Sequence, residues 1–150
     1  MPTEPQCPPS RCDGRAGVTS EQDLFERLLA LDHSRAEPWG PLHGVVVAAF
    51  TLQHDHEPRP ADDPALELLR AFVERGREGL AAVTARRRRA NSHRGAGLAR
   101  PTGPLLPAPA GFAVRIGDVT VDGGFPADGH AERVRAWALA TLTAWADQPT

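Results

Sequence analysis

Residues 42–54 constrain the fold more than any other segment, because they are apolar almost all round between Val45 and Phe50. A helix that is apolar on every side has to be covered by other elements. The triplet Val45-Val46-Val47 would also suit a buried strand, so the period alone does not decide between the two. The pattern continues for longer than an ordinary strand, and we therefore predict a central, buried helix with Pro41 at its first position.

Apolar stripes at helical spacing predict the first and the last helix. The first covers residues 21–34, with Ser20 as its N-cap and Asp23 placed to complete a capping box. The last covers residues 129–146 and follows Asp128, which can cap it. The apolar face of the last helix consists of Val134, Trp137, Ala138, Thr141 and Trp145.

A third helix is predicted to begin near Pro64, capped by Asp62 or Asp63. Two glycines weaken it before a further helical piece at 80–91; they are Gly76 and Gly79. Residues 113–122 alternate loosely between apolar and polar, and the dipeptide Gly117-Asp118 would suit a hairpin turn there.

The predicted elements define one domain at residues 19–147. Residues 1–18 are rich in Pro and Gly without an apolar period, so we expect a flexible tail. Residues 92–111 are rich in Gly, Pro and Arg, and we expect a long mobile loop. The fold class is therefore mainly α, a small bundle of four to five helices, with a short β-hairpin before the last helix.

Charge and composition exclude several classes of protein. The net charge of −2 provides no bulk attraction for nucleic acid or an anionic membrane surface. There is no apolar run of about 18 residues and no signal-peptide pattern, so we expect a cytoplasmic protein without a membrane span. All 17 basic residues are arginine, and lysine and tyrosine are missing. This bias is typical of a GC-rich genome, such as an actinobacterial one, and it excludes a Schiff-base lysine or a tyrosine acid.

Cys7 and Cys12 are the candidate metal ligands. Four residues separate the two thiols, which is within the range seen for zinc ligands. A structural zinc site needs four ligands, so histidines would have to complete it. The alternative is a pair of reduced thiols without a metal in a flexible tail, and both readings stay open.

Histidines supply most of the candidate catalytic residues, because imidazole titrates near neutral pH. On one helix His43 and His54 would lie about 16 Å apart along the axis, too far to bind one metal ion. His130 shares the face of Trp137 and is therefore expected in the core or at a pocket rim. For each histidine the alternative is a hydrogen-bonded structural role. The candidate catalytic residues are His43, Gln53, His54 and His130.

The four consecutive arginines at 86–89 form the strongest local charge. On a helix they spread over about 300°, so they do not make one phosphate-reading face. No aromatic residues are interleaved with them, and we do not expect nucleic-acid binding. A solvated helix end accounts for the run.

Several short sequence segments resemble those of a family of small bacterial proteins known as domain of unknown function family 5946. The similarity covers residues 24–145 with gaps. Its matching pieces are Leu29-Ala30-Leu31-Asp32-His33-Ser34, Gly40 to His43, Gln53-His54, His130, Trp137 and Trp145. The resemblance implies a helical fold and no particular reaction.

Three positions depart from the family pattern. The cysteine pair Cys7 and Cys12 is more widely spaced, Ala48 stands where the family has an acidic residue, and Asp55 replaces a proline. Because no catalytic signature is complete, we expect an accessory or interaction subunit of a heteromeric bacterial enzyme, in a setting such as a tailoring enzyme of secondary-metabolite (antibiotic) biosynthesis. Its expected partner is a second protein subunit. The alternative is a small histidine-based, metal-dependent enzyme that acts on a small molecule.

Overall fold

Five helices and one short pair of strands make up the part of the chain that the computed structural model describes, residues 20–92 and 100–147. The fold is mainly α, with 64% helix, as the sequence predicts. The helices are α1 (Glu21–His33), α2 (His43–His54), α3 (Pro64–Ser92), α4 (Ile116–Val119) and α5 (His130–Ala146). A 3-10 turn at Gly40–Leu42 leads into α2, and β1 (Arg59–Pro60) pairs antiparallel with β2 (Leu105–Leu106).

The core forms where α2, α3 and α5 pack against one another. The apolar run predicted to be a central helix is α2, and Val45, Val46 and Leu52 on it are fully buried. Trp137 and Trp145 of α5 are the largest fully buried side chains. The predicted apolar face of α5 is therefore the face that meets the core.

The predicted capping box of α1 is present. The Ser20 hydroxyl accepts from the backbone N–H of Asp23, and the Asp23 carboxylate accepts from that of Ser20. For α5 the predicted cap is wrong. The N-cap is Gly129, in the left-handed region with φ 73°, and no side chain caps the helix. Asp128 instead contributes its carbonyl oxygen to the Arg133 guanidinium.

Helix α3 folds back on itself at Gly76, where φ is 61° and ψ is −143°. A straight helix would place Pro64 and Arg87 about 34 Å apart. Instead Arg87 Nη2 donates to the Pro64 carbonyl oxygen at 2.7 Å. The two arms of α3, residues 64–75 and 77–92, therefore run antiparallel. They approach so closely that a Cβ on Gly79 would lie 2.1 Å from the Ala71 carbonyl oxygen.

The predicted hairpin at 113–122 is misplaced. The strand pair before α5 joins residues 59–60 to 105–106, and the expected turn Gly117-Asp118 lies inside α4. Ile116 and Val119 are one helical turn apart and both fully buried, so helical spacing and not alternation sets their burial. The Asp118 carboxylate accepts from the backbone N–H of Arg115 and fixes the start of this turn.

Two predicted segments lie partly or wholly outside the described residues. They are the tail at 1–18, which holds Cys7 and Cys12, and positions 93–99 of the predicted loop. The described remainder of that loop contains β2, and its Gly103 N–H donates to Asp62 at 2.7 Å. Within residues 20–92 and 100–147, no helix has the length and apolar character to cross a membrane.

Candidate functional site

The side chains of Asp32 and His43 meet where α1 ends and α2 begins. Asp32 is in the last turn of α1, and His43 is the first residue of α2. Their contact joins Asp32 Oδ2 to His43 Nδ1 at 3.2 Å. The ring of His33 lies beside the pair, with 5.3 Å between its centroid and that of His43. A histidine whose ring is fixed by a carboxylate is a recurrent arrangement in general-base catalysis.

The two partners differ sharply in exposure. The Asp32 side chain is 0% exposed, whereas that of His43 is 43% exposed. Burial raises the pKa of the Asp32 carboxyl, against the lowering effect of the hydrogen bond from His43. Among the described residues, Asp32 Oδ1 has no hydrogen-bond partner. A buried carboxylate with one partner costs free energy, so packing alone does not explain Asp32.

A cleft of about 340 Å³ runs from His43 along the outer face of α2. The outer face of α2 and both arms of α3 form its walls, and its volume is within the range of small-molecule sites. Ala48 of α2 lines this cleft. The lining is mostly apolar and includes Gly44, Val47, Ala48 and Leu68, and Arg87 contributes a charged side chain.

His54 lies at the other end of α2 and is held in a different cluster. Its Nδ1 donates to the Phe50 carbonyl oxygen at 2.8 Å, and its ring stacks on that of Phe50 with 3.9 Å between centroids. His54 Nε2 is 3.6 Å from Glu21 Oε1. The same carboxylate receives a fork of hydrogen bonds from Arg115, the shortest at 2.7 Å. This cluster ties α1, α2 and the start of α4 together.

Gln53 joins α2 to α5 and to the segment before α4. Its amide nitrogen donates to the Val114 carbonyl oxygen at 2.8 Å and to Thr141 Oγ1 at 3.0 Å. The residue is 2% exposed. These contacts make Gln53 a structural tie and keep it away from the His43 cleft.

His130 is fully buried at the first position of α5. The rings of Trp39 and Phe125 lie 6.3 and 6.2 Å from it, measured between centroids. Burial, with a smaller contribution from the nearby charge of Arg133, lowers the pKa of His130 to about 4. No atom of the described ranges hydrogen-bonds either ring nitrogen. His130 is therefore a neutral core residue at neutral pH.

The four candidate catalytic residues do not converge on one site. His43 stands at the cleft, whereas Gln53, His54 and His130 make the separate contacts described above. Across residues 20–92 and 100–147, no three His, Cys, Asp or Glu side chains are grouped so as to hold a metal ion. The predicted ligands Cys7 and Cys12 lie outside those ranges. Sequence reasoning missed Asp32, although it continues the spacing of Leu24 and Leu28 and so falls on the buried line of α1.

The fold and the site define a small helical protein with a buried aspartate behind a half-exposed histidine at a cleft. A model described as a family of unknown function (DUF5946) matches residues 7–146, so the chain belongs to this family. The membership confirms the resemblance noted in the sequence. Neither the curated proteins nor the solved structures contain a match.

Proposed function

We propose that the protein acts on a small molecule bound in the His43 cleft, with His43 as general base and Asp32 as the residue that positions it. The observation that supports this proposal is the contact between a fully buried carboxylate and a half-exposed imidazole at the cleft wall. Perturbed carboxylates beside a cleft are concentrated at functional sites. Arg87, from the second arm of α3, lines the same cleft and supplies a positive charge for an anionic group of the substrate.

The contact sets the protonation pattern of the imidazole. An ionised Asp32 carboxylate can only accept hydrogen bonds. His43 Nδ1 therefore carries a hydrogen and donates a hydrogen bond to Asp32 Oδ2. Nε2 then keeps its lone pair and can take a proton from a substrate hydroxyl or from water. The buried carboxylate stabilises the imidazolium that results. The proton returns to the leaving group in the second half of the reaction.

Hydrolysis of p-nitrophenyl acetate tests this proposal, because the ester is small enough for the cleft and reports on reactive imidazole. We expect His43→Gln to lower the rate at least about tenfold, since general-base catalysis contributes on the order of a hundredfold or more. His56→Gln is the matched control, because His56 is exposed and lies beyond the end of α2. Equal rates for wild type, His43→Gln and His56→Gln would rule out His43 as the base.

The expected accessory-subunit function is a second candidate, and an exposed apolar face of α5 favours it. Leu139 is 44% exposed and stands in a groove lined almost wholly by apolar atoms, with Val114, Ala136 and Ala140 as neighbours. Small residues spaced by four let another helix approach closely. We propose that a helix of a second protein subunit packs there. The proposed setting in actinobacterial secondary metabolism, as part of a tailoring enzyme, rests on the arginine-rich composition.

Co-purification with the product of an adjacent gene tests the second candidate. Leu139→Glu should abolish a stoichiometric complex, because it buries a charge at the centre of the contact. Val121→Glu is the matched control, since Val121 is 42% exposed and lies outside the groove. A complex that survives Leu139→Glu, or a chain that pairs only with itself, would contradict this function.

A further inference from the structure

A second cleft, of about 460 Å³, opens between the folded-back arms of α3 and the segment that begins at Arg100. Four arginines from three places in the sequence line it: Arg70, Arg86, Arg87 and Arg100. The fold at Gly76 brings the first three together, and the backbone hydrogen bonds of Thr102 and Gly103 to Asp62 keep the segment of Arg100 beside them. Neither the catalytic proposal nor the helical core requires four guanidinium groups to converge.

Two carboxylates, those of Asp62 and Glu67, line this cleft beside the four arginines, so half of its positive charge is uncompensated. Glu67 forms an ion pair with Arg86 and lies 4.0 Å from Arg87. Asp62 accepts from the backbone N–H groups of Thr102 and Gly103, at 2.9 and 2.7 Å. These bonds hold the pKa of the Asp62 carboxyl below its usual range. Its lone pairs are therefore engaged mainly by the backbone.

Asp63, the other carboxylate near this cleft, also has a hydrogen-bond partner. Asp63 receives a hydrogen bond from Arg59 at 3.1 Å. Arg70 and Arg87 each donate to one carbonyl oxygen, those of Ala61 and Pro64, which leaves further N–H donors on both groups. Within the described ranges no ion pair or hydrogen bond holds the Arg100 guanidinium. Burial, together with the neighbouring charge of Arg86, lowers the pKa of Arg87, as expected where cations crowd together.

We propose that this cleft binds the phosphate group of a small molecule. Guanidinium groups offer paired donors that match a phosphate oxyanion, and several arginines around one anion give both affinity and orientation. The volume exceeds what a single phosphate fills, so the ligand carries a further group or a second phosphate. Nucleic acid is disfavoured, because Arg88 and Arg89 of the same run do not line the cleft.

The arginine cleft adjoins the His43 cleft, since Pro64 and Arg87 line both. A phosphorylated molecule anchored by Arg87 can therefore extend along α2 toward His43. The idea that the substrate of His43 is phosphorylated rests on the proposed function. The phosphate site itself does not depend on that function. The two ideas fail separately, because phosphate binding needs the arginines and ester hydrolysis needs His43.

Isothermal titration of the full chain with inorganic pyrophosphate tests the site. We expect saturable binding of one pyrophosphate per chain, weakened at least about tenfold by Arg100→Gln. Arg100→Gln is the decisive variant, because no described contact of this side chain supports the fold. Arg86→Gln should weaken binding to a similar extent, and melting curves report whether losing its ion pair with Glu67 affects folding. Arg89→Gln is the matched control and should change the affinity less than about twofold.

Three results would overturn the phosphate site. The first is no pyrophosphate binding by wild-type protein, and the second is equal binding by Arg100→Gln and wild type. The third is tight binding of a single-stranded oligonucleotide that Arg89→Gln weakens as much as Arg100→Gln, which would indicate a diffuse basic surface. Pyrophosphate binding that persists in His43→Gln is expected, and it separates this site from the catalytic proposal.

Discussion

Asp32 and His43 lie 11 residues apart on different helices, and their side chains meet at 3.2 Å across the turn that joins α1 to α2. The contact places an ionisable pair at the wall of a cleft, with the acid inside the protein and the imidazole at its surface. Because the acid is costly to bury and the histidine is accessible, we infer that the pair serves reactivity more than stability.

Replacing Trp137 tests the core. Its side chain is fully buried on the face of α5 that meets α2 and α3. Trp137→Ala should lower the free energy of unfolding by about 3–5 kcal/mol, through lost burial and the cavity left behind. Urea denaturation measures this change. Leu139→Ala is the control on the same helix, and its exposed side chain should cost less than about 1 kcal/mol. Equal losses for the two variants would contradict the packing.

Stability should fall in mild acid because of His130. Its pKa is lowered to about 4 in the folded protein, against about 6.5 in an unfolded chain. Between these values the unfolded state binds more protons, so folding loses stability as the pH falls. The total loss is on the order of 3 kcal/mol.

Urea denaturation of His130→Leu between pH 7.5 and 4 isolates this contribution from those of other groups. The leucine fits an apolar site and cannot take up a proton. The free energy of unfolding of the variant should therefore rise relative to that of wild type as the pH falls. A difference between the two proteins that stays constant across this range would show that His130 does not titrate with folding.

The fold-back of α3 depends on Gly79. A Cβ there would lie 2.1 Å from the Ala71 carbonyl oxygen, on the opposite arm. Gly79→Ala should therefore lower the free energy of unfolding by about 1–3 kcal/mol, because the arms must move apart. Thermal melting followed by circular dichroism measures the loss. Gly117→Ala is the matched control, since a Cβ on Gly117 meets no atom within 4 Å. A loss as large in the control would contradict the close approach.

Much of the helical core could be predicted from the sequence. The spacing of Val134, Trp137 and Trp145 required one buried face, and the apolar run of α2 required burial on most sides. The strands could not be placed, because the alternation around Ile116 and Val119 also fits one helical turn. The partner strand lies more than forty residues away, beyond the reach of any local pattern.

The site was harder to predict than the core. His43 was predicted as a candidate from its residue type. Its contact with Asp32 could not be predicted, because it depends on how the turn at 35–42 orients α2 relative to α1. The sequence also predicted Gln53 and His130 as catalytic candidates. Tertiary contacts show that Gln53 hydrogen-bonds neighbouring elements and that His130 is buried in the core. The arginine cleft was missed because the fold at Gly76 is a tertiary feature, although the glycine itself marked a break.

We infer that Asp32 is kept for reactivity at a cost in stability. Asp32→Asn keeps the shape of the side chain and removes the buried charge. Because the pKa of Asp32 is raised in the folded protein, ionisation lowers wild-type stability as the pH rises through that pKa. At neutral pH the variant should be at least as stable as wild type.

The most direct measurement pairs urea denaturation of Asp32→Asn at pH 7 with its hydrolysis of p-nitrophenyl acetate. We predict an unchanged or higher free energy of unfolding, together with a rate lowered at least about tenfold, because the imidazole loses its orientation and its counter-charge. A variant that is clearly less stable but hydrolyses the ester at the wild-type rate would contradict a role of Asp32 in reactivity. It would show that Asp32 and His43 form a structural pair.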